Sequence, residues 1–191
     1  MMLNPTVLKA HFESALPYGA YVASGSPDQQ QSWAAFHAKV RLTDQDRTLL
    51  ASFVRRLNVL VLSGTWCGDC VQQVPILDSI ARASSGAVVL RIADRDAHRD
   101  LSEQVMICGG RRVPTVLFLN EDFEFIGLAG DSTLSRLRAK AARALGAACP
   151  LPGAEVPRDE IAATARDWVD LCEQFHLLVR LSPKLRERHG D

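Results

Sequence analysis

The stretch that most constrains this chain is residues 57–78, LNVLVLSGTWCGDCVQQVPILD. Residues 58–62 are an apolar, β-branched run of strand length, and Ser63, Gly64 and Thr65 break it. Trp66 and Cys67-Gly68-Asp69-Cys70 follow, and the pattern turns helical, with Val71, Val74, Leu77 and Ile80 or Ala81 on one face. A buried strand therefore ends in a short turn, and a Cys-x-x-Cys sits where the next helix begins. A sulfur at a helix start faces free amide donors and the positive end of the helix dipole, which favour thiolate over thiol. The i, i+3 spacing brings the second sulfur over the first turn, within reach of a disulfide. Such a pair suits dithiol–disulfide exchange.

With these residues in view, the sequence resembles the thioredoxin superfamily. Trp66-Cys67-Gly68-x-Cys70 is similar to the thioredoxin active site except at the third position of the pair, where thioredoxin has proline and this chain has Asp69. Pro75 matches the proline that kinks the family's active-site helix. Val113-Pro114-Thr115 looks like its cis-proline loop, and Gly130 falls where the family has a glycine after its last strand. The resemblance covers roughly residues 44–146. A lone Cys-x-x-Cys would not decide the matter, because zinc sites use the same spacing; four features in order do. Two departures stand out. Val61 replaces the family's buried aspartate, its proton acceptor, and Asp69 puts a carboxylate between the sulfurs. Trp-Cys-Pro-Asp-Cys marks a related branch with a narrower choice of disulfide substrates.

The resemblance implies an α/β thioredoxin fold, a central mixed sheet of about four strands flanked by helices. Helical extensions are expected at both ends, residues 1–43 before the domain and 147–191 after it. Asn4-Pro5 and Ser26-Pro27 each read as an N-cap with proline in the first turn, opening helices to about residues 14 and 40. Trp33, Phe36 and Val40 share a face of the second. Residues 16–25, with Pro17, Gly19 and Gly25, read as a loop. Thr43 and Asp46 resemble a capping box for a helix to about residue 56, with Leu49, Leu50, Phe53, Val54 and Leu57 inward. Strands are expected at 87–93, 113–120 and 123–128, and a short helix to about residue 107. Gly130-Asp131-Ser132 should cap a further helix ended by Gly146. A proline-rich linker, 148–157, precedes a long helix over 158–181 whose apolar stripe must be covered, by the domain or by a second copy. Residues after 182 read as a solvated basic tail.

Charge and cysteine usage narrow the class. Lysine and arginine number 22 against 22 acidic residues, so no global field favours nucleic acid or anionic membrane. No apolar run approaches a membrane span, and the N-terminus lacks a signal-peptide pattern, so a cytoplasmic location is expected. The five cysteines, an odd number, suggest reduced thiols around one redox pair.

The resemblance implies Cys67 as nucleophile and Cys70 as resolving thiol, with Asp69 the nearest carboxylate in sequence to relay a proton. Trp66, Gly68, Val113, Pro114 and Arg112 would form the substrate surface, Arg111 and Arg112 preceding the loop. No bound cofactor or metal is needed, Cys108 being the nearest third ligand for a zinc or iron–sulfur alternative. Cys108 reads as a small core residue on its helix, Cys149 and Cys172 as spectators, and the five histidines form no ligand spacing. The expected activity is thiol–disulfide oxidoreduction, as a reductase of protein or small disulfides. Electrons would come from a thioredoxin-reductase-like donor or small thiols, and a monomer is expected rather than a dimer. The alternatives are a glutaredoxin-like or low-molecular-weight disulfide reductase, and a non-catalytic thioredoxin-fold interaction module.

Overall fold

The computed structural model describes residues 3–145 and 158–190. In chain order the elements are α1 (Pro5–Ser14), α2 (Tyr18–Ala23), α3 (Pro27–His37), α4 (Asp44–Ala51) and β1 (Leu57–Ser63). Then come α5 (Gly68–Val71), α6 (Val74–Ala83), β2 (Val88–Asp94), α7 (Arg99–Gln104), β3 (Thr115–Leu119) and β4 (Phe125–Gly130). The last are α8 (Leu134–Leu145), α9 (Glu160–Arg180) and α10 (Pro183–His189). The sheet order is β2-β1-β3-β4, with β1 parallel to β2 and the other neighbours antiparallel. This four-stranded mixed sheet flanked by helices, with helical extensions, is the thioredoxin fold.

Strand β1 is central and buried throughout, which explains its near-continuous apolar sequence. Register fixes the faces: Val59 lies between Leu90 and Phe118, and Leu60 between Arg91 and Leu117. Alternation therefore puts Phe118 and Arg91 on opposite faces. Helix α9 covers the first, its Phe175 ring stacked 4.3 Å from Phe118. Gly127, opposite Phe118 in β4, makes room, since a Cβ there would stand 2.4 Å from the Phe175 ring. On the second face Phe12 of α1 lies under the Arg91 guanidinium. Ala165, Trp168, Cys172, Phe175 and Val179 of α9 are all buried within the chain itself.

Local structure departs from expectation in several places. Residues 16–25 hold the helix α2, because Tyr21 packs edge-to-face on Trp33 and is 2% exposed. Leu16 also pairs with Ile92 through two backbone hydrogen bonds, extending the sheet past β2. Helix α3 stops at His37 and α4 at Ala51, and Val54, expected inward, is exposed. The active-site helix is split into α5 and α6, with Pro75 in the first turn of α6. Strand β4 starts at Phe125, since the Asn120 side chain accepts the amides of Asp122 and Glu124 and holds the turn. Cys108 is exposed, not core: with Gly109 it forms the tip of a tight turn closed by Ile107 and Gly110, both tip residues at positive φ. The basic tail is helix α10, capped by Ser182 and anchored by buried Leu185, with Lys184 and Arg188 paired to Glu124 and Asp122. The linker over 148–157 and the stop at Gly146 lie outside the described residues.

His176 ties α9 to the segment before β1. Its ring stacks 4.1 Å from Phe53, and Nε2 accepts the amides of Val54 at 3.1 Å and Arg55 at 3.3 Å. Burial, then the charges of Arg180 and Arg55, hold its pKa below the ordinary 6.5. The unfolded chain therefore binds the proton first, and stability falls as pH drops below about 6.5 toward the folded value. Thermal melts should show this loss between about pH 7 and pH 5. His176→Gln, which keeps an acceptor and cannot titrate, should flatten the slope. His98, also depressed chiefly by burial, and Cys67, lowered to about 6, add losses of the same sign in this range.

Candidate active site

Strand β1 ends at Ser63, and the chain turns through Gly64, Thr65 and Trp66, closed by the Cys67 amide donating to the Gly64 carbonyl at 3.0 Å. Trp66 is 55% exposed and folds back over Gly64, where a Cβ would stand 2.6 Å from its ring. The Arg95 guanidinium lies 4.9 Å from the centre of the same ring. From α3, Trp33 Nε1 donates to the Thr65 carbonyl at 2.9 Å, bracing the turn from the N-terminal extension.

Cys67 is the N-cap of α5, and its Sγ accepts the Cys70 amide at 3.4 Å. The sulfur is half-buried and lies 3.5 Å from the Val113 carbonyl, while Cys70 is fully buried. The Val113–Pro114 peptide is cis. Gly130 has φ +140°, and a Cβ there would lie 2.3 Å from the Pro114 carbonyl oxygen, so glycine is required beside this loop. Cys67, Cys70, Val113 and Pro114 thus converge from β1, α5 and the start of β3. Gly68 adds an open, exposed backbone beside them.

The two thiols are held far apart in acidity. The Cys67 thiol is lowered to about 6, first by the hydrogen bond from Cys70, and further by the amides of Cys70 and Asp69; burial and the Asp69 charge oppose this. Burial pushes Cys70 strongly up, followed by its bond to Cys67 and the Cys67 charge. Because α5 is a single turn, the thiolate rests on short-range donors and not on a long helix dipole.

Asp69 points away from the sulfurs, into two cations of α8. Its Oδ1 accepts from Arg136 at 2.8 Å and its Oδ2 from Lys140 at 2.9 Å. Burial raises the carboxyl, but the hydrogen bonds and charges of Lys140 and Arg136 outweigh it and keep it low. Arg136, 4% exposed, also donates to Gln72 and Glu160, joining α5, α8 and α9. Arg112 pairs with Asp131 at 3.0 Å and Arg111 with Asp96 at 3.0 Å. The cation over Trp66 is Arg95, which the sequence did not single out, any more than Arg136 or Lys140; Trp33, expected only on a packing face, also braces the turn. The i, i+4 spacing of Arg136 and Lys140 was a visible signal. Among the described residues no group of three or more His, Cys, Asp or Glu side chains is arranged to hold a metal.

A family model described as Thioredoxin matches residues 15–132. The chain belongs to the thioredoxin family. It is 33% identical over 110 residues to Thioredoxin-1 of Drosophila melanogaster, a match covering 56% of this chain and 99% of that protein. It is 29% identical over 110 residues to Protein disulfide isomerase-like 2-3 of Oryza sativa subsp. japonica, covering 58% of this chain and 22% of that protein. A Pseudomonas aeruginosa protein of unknown function superposes with a TM-score of 0.67 at 22% identity, covering 86% of this chain and 93% of its own. An HIV epitope scaffold gives 0.61 at 22% identity, covering 96% and 98%. These two likenesses concern the fold, and they extend well past the family match into the helical extensions. With the paired cysteines, membership gives the chain a thioredoxin-like redox function.

The order of effects on Cys67 is testable by thiolate ultraviolet absorbance against pH. Wild type should titrate at about 6. Cys70→Ala removes the leading donor and should move Cys67 up toward the ordinary thiol value, about 8.5. Asp69→Asn should move it by less than half a unit, downward, because two cations already screen that charge. A larger shift from Asp69→Asn than from Cys70→Ala would reverse this ranking.

Proposed function

We propose that this protein is a thiol–disulfide oxidoreductase working as a reductase through Cys67 and Cys70. The observation that carries the reading is a half-buried Cys67 sulfur that accepts the Cys70 amide at 3.4 Å beside a fully buried Cys70, an arrangement that lowers the first thiol and raises the second. The Cys67 thiolate attacks one sulfur of a substrate disulfide, forming a mixed disulfide and releasing the other sulfur as a thiolate. Cys70 then gives up its proton and attacks Cys67 Sγ. The substrate sulfur departs with the electron pair and takes up a proton, leaving a Cys67–Cys70 disulfide. A thioredoxin-reductase-like donor or small thiols return two electrons and two protons. Trp66, Gly68 and the backbone at Val113 and Pro114 offer the extended surface on which a substrate strand can lie. Arg112, paired with Asp131, stands at its edge, and Asp69 serves by holding α5 to α8. No cofactor is needed, and the cytoplasm, where thiols stay reduced, suits such a reductase.

The N-terminal extension favours a second reading within this chemistry. Asp28, Gln29 and Ser32 of α3 face Thr65, Trp66, Gly68, Val71 and Gln72 across a cleft of about 370 Å³. A wall this close to Cys67 suits small disulfides or flexible peptides better than broad protein surfaces.

Two assays separate the readings. Cys70→Ser should retain its substrates as mixed disulfides on Cys67, whereas Cys67→Ser retains none; peptide mapping that found Cys108 carrying them would overturn the assignment. Insulin reduction coupled to thioredoxin reductase should turn over if protein disulfides are substrates. Turnover confined to small disulfides supports the walled-cleft reading, and turnover of neither leaves a non-catalytic interaction module.

A further inference from the structure

Resolution of the mixed disulfide asks something unusual of Cys70. Its sulfur is fully buried and must become a thiolate inside the protein, and the groups acting on it most strongly besides Cys67 are Ser63 and Gly64. Ser63 is the last residue of β1, fully buried, its carbonyl fixed by the Arg95 amide at 2.8 Å. Its hydroxyl is a neighbour that favours the ionised form of both Cys70 and Tyr21. Tyr21 comes from α2, is 2% exposed, and is locked by its edge-to-face contact with Trp33 at 5.7 Å. Yet Tyr21 Oη and Ser63 Oγ are both buried without closing a hydrogen bond. Buried hydroxyls without partners are costly, and two of them beside the resolving sulfur call for a state in which both are used.

We propose that Ser63 and Tyr21 form a hydroxyl pair that stabilises the Cys70 thiolate as it forms, so that the N-terminal extension takes part in the resolving step. The inference rests on the dithiol mechanism above. Tyr21 donates to Ser63 Oγ, Ser63 donates to the Cys70 sulfur, and the Gly64 amide adds a further donor. The pair does not take the Cys70 proton. Burial raises the Tyr21 hydroxyl well above its ordinary value, with the Asp94 and cysteine charges adding to this, so the phenol stays protonated and acts as a donor. The proton leaves with the departing substrate sulfur: the Cys67–Cys70 bond forms, the Cys67–substrate bond breaks, and no outside oxidant or base is consumed. The ionisable groups around the pair are Cys67 on the same segment and Asp94 at the end of β2. Asp69 acts on Cys67 but is bound to α8. Ser63 and Tyr21 are therefore positioning residues for Cys70.

The test is rapid mixing of the full chain with an aromatic disulfide whose released thiolate is coloured, across a range of pH. Wild type should give two phases, attack by Cys67 and then release by Cys70. Ser63→Ala should leave the first phase within about twofold, slow the second about tenfold or more and move its pH midpoint upward. Tyr21→Phe, which keeps the ring packing, should slow the second phase about threefold. Ser63→Thr should restore it. An unchanged second phase and midpoint in Ser63→Ala and Tyr21→Phe would overturn the proposal, as would equal slowing of both phases. A wild type with a first phase and no second would instead sink the dithiol mechanism, and this inference with it.

Discussion

Everything in this molecule hangs on the complete burial of β1. A strand with no exposed residue needs sheet neighbours on both edges and cover on both faces. The parallel β2 and antiparallel β3 supply the edges. Helix α9, with its Phe175 on Phe118, covers one face and α1 lies on the other. With the strand fixed on four sides, its end at Ser63 is fixed too, and the cysteine turn begins there. The placement of Cys67 is therefore a consequence of core packing, and the sulfur is presented by a rigid element and not by a free loop.

The extensions are integral to this arrangement. Trp33 braces the Thr65 carbonyl, Tyr21 fills space beside Ser63, and Leu16 lengthens the sheet at β2. At the other end, His176 satisfies two backbone amides before β1, and Asp167 accepts both the Ser135 amide and its hydroxyl, capping the first turn of α8. Buried Arg136 reaches from α8 to Asp69, Gln72 and Glu160. A buried guanidinium demands such partners, so Asp69 answers a structural need of α8 as much as any need of the sulfurs.

Two opposing effects meet at Cys67, and magnitude decides between them. A carboxylate one residue away disfavours the thiolate, but its charge is met at 2.8 Å and 2.9 Å by two cations. The Cys70 amide donates directly to the sulfur at 3.4 Å, and the Cys70 thiol and the Asp69 amide favour its ionised form. Hydrogen bonds to an ionised group are among the stronger polar contacts in a protein, and here they prevail. The carboxylate between the cysteines consequently leaves the first of them acidic.

The sequence by itself determined the strand–turn–helix around Cys67, the succession of strands along the chain and the caps at Asn4, Ser26 and Thr43. These depend on local periodicity and on side chains within three residues of the backbone they satisfy. It misread α2, because two glycines and a proline read as a loop, while burial of Tyr21 against Trp33 outweighs their weak helix propensity. It misplaced Cys108, since the Ile107–Gly110 turn is set by pairing across it and not by helical spacing. It could not see that Asp69 meets Arg136 and Lys140, 67 and 71 residues away along the chain, or that Ser63 and Tyr21 gather at Cys70. Those neighbours are brought together by packing helices on a twisted sheet, and only the tertiary structure decided them.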